Sequence, residues 1–249
     1  MDARMASTIA FLIGIITSYA LLWAITEKFE KKIQEKDTLM SYVIGLFAGI
    51  VVVMGHLYIM YSGDLGILFI SVFLLAVAEI LLYHIYLNRK KFKGRGDLIF
   101  IAVAFSLGIA GMYVLFITGH VLNSQDITLD LILSMILFCF SVSLIRAASA
   151  IFLVRGEGSG KIDKKLLFNA LLASLLLGIF NLFALTYLIF DFLWTFSVMG
   201  VILALISFTA IFRGRASGAF AMLTVSTPSA SPAVTLSGSA LAGSSITRL

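Results

Sequence analysis

The chain is short of charge, proline and cysteine, and each shortage excludes something. Asp, Glu, Lys and Arg make up 12% of the 249 residues, 61% are hydrophobic, and the mean hydropathy is +1.08. A soluble domain carries roughly 25% charged residues, so this composition excludes an ordinary water-facing surface. The single cysteine, Cys139, excludes an internal disulfide and leaves the redox compartment unread. Both prolines, Pro228 and Pro232, stand near the end of the chain, so no proline interrupts the stretch from Ala6 to Phe212. Catalytic signatures are missing as well: there is no HExxH and no Gly-x-Ser-x-Gly. Gly158-Ser159-Gly160-Lys161 fails as a phosphate loop, because Arg155 stands where the pattern needs glycine and Ile162 where it needs Ser or Thr. The run Phe192–Phe212 has no lysine for a retinal-type Schiff base.

What the chain does have is apolar runs of bilayer length. A helix needs about 20 apolar residues to cross a hydrocarbon core, and seven runs meet that need: Ala6–Thr26, Met40–Tyr61, Leu65–Leu87, Leu98–Thr118, Leu129–Val154, Leu166–Ile189 and Phe192–Phe212. The first is too long for the core of a signal peptide and has no small-residue cleavage site after it, so it reads as a span. Lys165–Phe212 as a single helix would be about 72 Å long, more than twice a bilayer core, so it must reverse near Phe190–Asp191.

Charge then sorts the connections. Glu27–Leu39 carries Lys28, Lys31, Lys32 and Lys36; Asn88–Asp97 carries Arg89, Lys90, Lys91, Lys93 and Arg95; Arg155–Lys165 carries Arg155, Lys161, Lys164 and Lys165. The alternate connections Ser62–Asp64, Gly119–Asp130 and Phe190–Asp191 carry no Lys or Arg. Basic connections stay on the cytoplasmic side. The expected fold is therefore all-α: an integral membrane bundle of seven transmembrane helices over residues 1–212, N-terminus outside and C-terminus cytoplasmic. The expected location is the cell membrane, as a multi-pass protein. Residues 213–249, with eight Ser and no Asp, Glu or Lys, read as a low-complexity, disordered cytoplasmic tail. A frame change or truncation after Arg215 is the alternative, which the other reading frames of the gene would test.

The net charge of +5 is explained by these connections and calls for no nucleic acid. The partners it implies are lipid head groups of the inner leaflet. Gly45-Leu-Phe-Ala-Gly49 is a GxxxG, and Ser106, Gly108 and Gly111 form a second set of small residues. In the sixth run Ala170, Ser174, Gly178 and Asn181 recur at helical spacing. Such stripes let helix backbones approach closely. They pack a bundle interior, and the GxxxG also leaves a homo-oligomer open.

Ionisable residues inside spans are the candidates for function, since burying them is costly without a partner. Glu79 lies eight residues before Leu87 and Arg146 eight before Val154, in two runs that both head inward. Both then sit about 12 Å inside the cytoplasmic boundary. Two opposite charges at one depth are expected to form an intramembrane ion pair, acting as a structural lock or as a switch governed by Glu79 protonation. Arg146 reaching to the inner interface is the alternative. Tyr83 and Tyr86 share the Glu79 face, and Ser143 and Ser149 flank Arg146. His56, His120, Asn181 and Tyr83 are candidate polar or ligand positions. His56 and His120 can meet on the outer side, but two histidines without a paired motif assign no metal, and no cofactor is implied. His84 lies at the inner interface.

The function these features imply is a sensory or receptor-like membrane module; a membrane enzyme ranks below the other readings, because the chain offers only isolated acids and histidines, and enzyme activity is left open. A small secondary carrier or proton-coupled channel is the first alternative, weakened by helices without proline and halves without a repeat. A structural or assembly subunit is the second.

Overall fold

The computed structural model describes residues 3–27, 33–60, 65–92, 95–124, 128–154 and 164–190, with 198, 200–202, 204–206 and 209. Every regular element among them is helical. The order is α1 (Ala3–Phe11), a π-helical segment (Leu12–Ile16), α2 (Thr17–Thr26), α3 (Glu35–Met60), α4 (Leu65–Leu87), a short 3₁₀ turn (Lys90–Phe92), α5 (Leu98–Ser124), α6 (Leu129–Val154) and α7 (Lys164–Phe190). Five helical stretches are long and apolar enough to cross a membrane: Arg4–Thr26, Glu35–Tyr58, Ile70–Leu87, Leu98–Asn123 and Leu129–Val154. α7 holds a shorter apolar stretch, Leu167–Leu182. Of the run Phe192–Phe212, the described residues are helical. Asp191 of the Phe190–Asp191 reversal, residues 155–163 of the Arg155–Lys165 connection and the tail 213–249 lie outside the described residues.

α5 is the central helix, packing against α1, α2, α3 and α6. Its contact with α3 is set by missing side chains. A Cβ on Gly45 would run into the Phe105 carbonyl, and one on Gly108 into the Tyr42 carbonyl. One on Gly49 would lie 2.9 Å from Ile109 O. The GxxxG of α3 and the small residues of α5 therefore serve one intrachain interface.

The first span is not a plain α-helix. Its wider π turn exposes backbone carbonyls, and Ile15 O accepts hydrogen bonds from Tyr42 Oη and Ser18 Oγ, each at 3.0 Å. The two hydroxyls meet at 2.8 Å. Gly14, inside the segment, lets this backbone lie on α5, where a Cβ would be 2.7 Å from both Gly111 O and Leu115 N.

The faces turned away from these contacts are apolar. α4 exposes Ile70, Leu74, Val77, Leu81 and Ile85, one stripe at steps of three and four. α3 exposes Val43, Phe47, Val51, Met54 and Tyr58 in the same way. The interior, by contrast, encloses Ser18, Ser41, His56, Glu79, Arg146 and Asn181. Apolar stripes of this length are what a hydrocarbon surround tolerates and water does not.

Candidate functional site

Glu79 and Tyr83 stand four residues apart on α4, hence on one face, and Tyr83 Oη donates to Glu79 Oε1 at 2.8 Å. Arg146 reaches this carboxylate from α6. Its Nε donates to Oε1 at 2.8 Å and its Nη2 to Oε2 at 3.3 Å. Neither side chain has exposed surface. The two-point contact fixes the guanidinium plane and supplies Coulomb attraction at a site closed to bulk solvent. Losing one partner there strands the other, at a cost of about 3–5 kcal/mol.

The other face of the site comes from α5 and α3. The guanidinium carbon of Arg146 lies 4.4 Å from the centroid of the Tyr113 ring, a cation–π contact. His56 packs against the same ring, centroids 5.1 Å apart and planes at 77°. Its Nδ1 is 3.1 Å from Val52 O. A carbonyl accepts only, so Nδ1 carries a proton; a second proton on Nε2 would put an uncompensated buried cation beside Arg146, so Nε2 of the neutral ring presents a lone pair. Four helices thus contribute to one polar core in which charge, hydroxyls and imidazole are all enclosed.

The remaining residues singled out by sequence fall elsewhere. His120 is exposed and lies within α5, which continues to Ser124 rather than ending at Thr118. Seven residues separate it from Tyr113, about 10 Å along the axis, while His56 faces that ring directly, so the two histidines do not share a site. No group of three His, Cys, Asp or Glu suited to a metal occurs among the described residues. Asn181 is enclosed on α7, and among the described residues its amide has no hydrogen-bond partner. Tyr86 turns from Glu79 to stack on Phe105, centroids 4.2 Å apart, and donates to Ser41 Oγ at 2.7 Å. Ser149 donates to Ile145 O at 3.0 Å, and Ser143 meets Cys139 Sγ at 4.0 Å. The role of Tyr113 was not foreseen; a lone tyrosine in the middle of an apolar run was its only signal.

A second charge cluster closes the end of the bundle where α3 and α5 begin and α4 ends. Asp37 on α3 accepts Lys91 Nζ at 2.6 Å and is paired with Arg95 Nη1. Arg95 also grips Asp97, Nε to Oδ1 at 2.8 Å and Nη2 to Oδ2 at 2.6 Å. The Gln34 backbone N–H donates to Asp97 Oδ2 at 3.3 Å. Partial burial pushes the Asp97 carboxyl upward, but the Arg95 guanidinium and the Gln34 N–H outweigh it and hold the carboxyl below its usual range. Arg95 is held above its ordinary value by its hydrogen bonds to Asp97 and Asp37, against the opposing effect of burial. Arg89 lies 5.0 Å over the Tyr86 ring. Of the described basic residues of Asn88–Asp97, Lys91 and Arg95 are thus committed to carboxylates, which sequence alone did not indicate.

The chain matches no protein-family model, no curated protein and no solved structure.

Proposed function

We propose that the chain is a multi-pass protein of the cell membrane, seven helices with the N-terminus outside, working as a sensory or receptor-like module. The observation that carries this reading is the enclosed Glu79–Arg146 pair joining α4 to α6. A charge pair enclosed in a bundle can act as a two-state element: protonating Glu79 removes the attraction and leaves Arg146 resting on Tyr113. The carrier reading loses ground at the irregular first span. In the π segment the Ile15 carbonyl is engaged by Tyr42 and Ser18 rather than left to bind an ion. On this topology the basic connections face the inner leaflet, and Lys90, exposed beyond α4, is placed to meet anionic head groups.

The test uses the full chain in liposomes, with spin labels at Ile85 and at Leu133, exposed positions on α4 and α6. A sensor changes the α4–α6 distance when Glu79 is replaced by Gln, and moves no solute above the level of empty vesicles. Sustained proton or solute flux that Glu79→Gln abolishes sinks the sensor in favour of the carrier. Unchanged distances in a folded Glu79→Gln protein leave a structural lock. Topology is read by reporters: one inserted in Asn88–Asp97 should score cytoplasmic and one at 125–128 external, and the reverse result overturns the orientation.

A further inference from the structure

Among the described residues, three polar atoms around one ring have no hydrogen-bond partner. Arg146 spends Nε and Nη2 on Glu79, and its Nη1 has none. His56 Nε2 and Tyr113 Oη have none either. All three side chains are fully enclosed, and buried polar groups in folded proteins are almost always satisfied. Their chemistry is complementary to one kind of ligand. Nη1 offers two N–H donors, Nε2 a lone pair, and the phenol either. The guanidinium and the imidazole both pack against the Tyr113 ring, at 4.4 and 5.1 Å from its centroid, so that ring joins the two groups. Glu79 already balances the charge of Arg146, and His56 is neutral, so an anion gains nothing there.

We propose that His56, Tyr113 and Arg146 form an internal hydration site, in which water donates to His56 Nε2 and accepts from Arg146 Nη1. Buried water with about three polar partners is the usual way such groups are completed. The site stands whether the ion pair switches or only locks, so it goes beyond the proposed function. Its consequence bears on that choice. Water gives Arg146 a partner independent of Glu79 and lowers the cost of parting the pair.

Water-edited solid-state NMR on the full chain in lipid bilayers tests it, with labelled His, Arg and Ala. Magnetisation from water should reach the His56 ring carbons and the Arg146 guanidinium faster than it reaches the methyl of Ala150, which is buried on the same helix as Arg146. The His56 Nε2 shift should be that of an unprotonated, hydrogen-bonded nitrogen. Tyr113→Phe, which keeps the ring and removes one water partner, should slow the transfer to His56. Transfer no faster than to Ala150, a protonated Nε2, or a cross-peak from Nε2 to a protein donor each overturns the site. None of these readouts depends on activity, so the site and the sensor reading fail separately.

Discussion

Arg146 and Glu79 meet at 2.8 Å with no exposed surface on either side chain, whereas Arg95 and Asp97 meet at 2.6 Å with 17% and 11% of theirs exposed. The two arginines make similar two-point contacts, yet their situations differ. Arg146 has a single carboxylate and an aromatic ring; Arg95 has two carboxylates at the end of the bundle, within reach of water and salt. Distance is therefore a poor guide to what either contact does. Enclosure makes the first pair expensive to break, and exposure makes the second a clamp that solvent can partly replace.

The largest effect that breaks this comparison is Arg146→Met. It leaves Glu79 buried without its counter-charge and should lower unfolding stability by about 3–5 kcal/mol, read by thermal unfolding in lipid nanodiscs. A loss under about 1 kcal/mol would place the pair with the exposed clamp. Next, replacing both Glu79 and Arg146 by Leu should recover most of that loss, because apolar residues of similar size replace a buried pair at little cost. A double variant no better than the single would instead point to Tyr83, Tyr113 and His56 depending on the charges.

Asp97→Asn should cost less, about 1–2 kcal/mol, since it weakens charge-assisted bonds at a partly exposed site. Acid sharpens the same contrast. The folded Asp97 carboxyl is held below its ordinary value, so its contribution is fully present above about pH 4, the unfolded range. That contribution is lost as pH falls through the lowered folded value. Asp97→Asn should therefore flatten the acid limb of stability against pH between about 4 and the folded value. The smallest effect is Lys91→Ala. Its partner Asp37 keeps Arg95, and the Lys91 side chain is 60% exposed, so the change should stay within about 1 kcal/mol and vanish in ~1 M salt, where the screening length is ~3 Å.

Much of this architecture is legible in the chain because a hydrocarbon core sets a length that can be counted. The expected boundaries Leu65–Leu87 and Leu129–Val154 coincide with α4 and α6, since polar residues flank both runs. Boundaries slip where the helix continues past the apolar run: α3 starts at Glu35 and α5 reaches Ser124, because polar residues can continue a helix beyond the apolar run. Counting also places Glu79 and Arg146 at one depth, through the fixed rise of the helix.

Rotation about each helix axis is what counting does not reach. These helices are apolar nearly all round, so little periodic signal marks which face is enclosed. Composition and length by themselves determined an all-helical chain with stretches long and apolar enough for a membrane. Only the packed bundle decided that Tyr113 lies beneath Arg146, that His56 faces Tyr113 rather than His120, that Tyr86 turns to Ser41, and that Tyr42 fills the π turn. Those contacts join residues on different helices. The phase of the α3–α5 contact, His56 on Tyr113, is set where Gly45 and Gly108 let the two helices close to backbone distance, an interhelical fit that no single run of sequence contains.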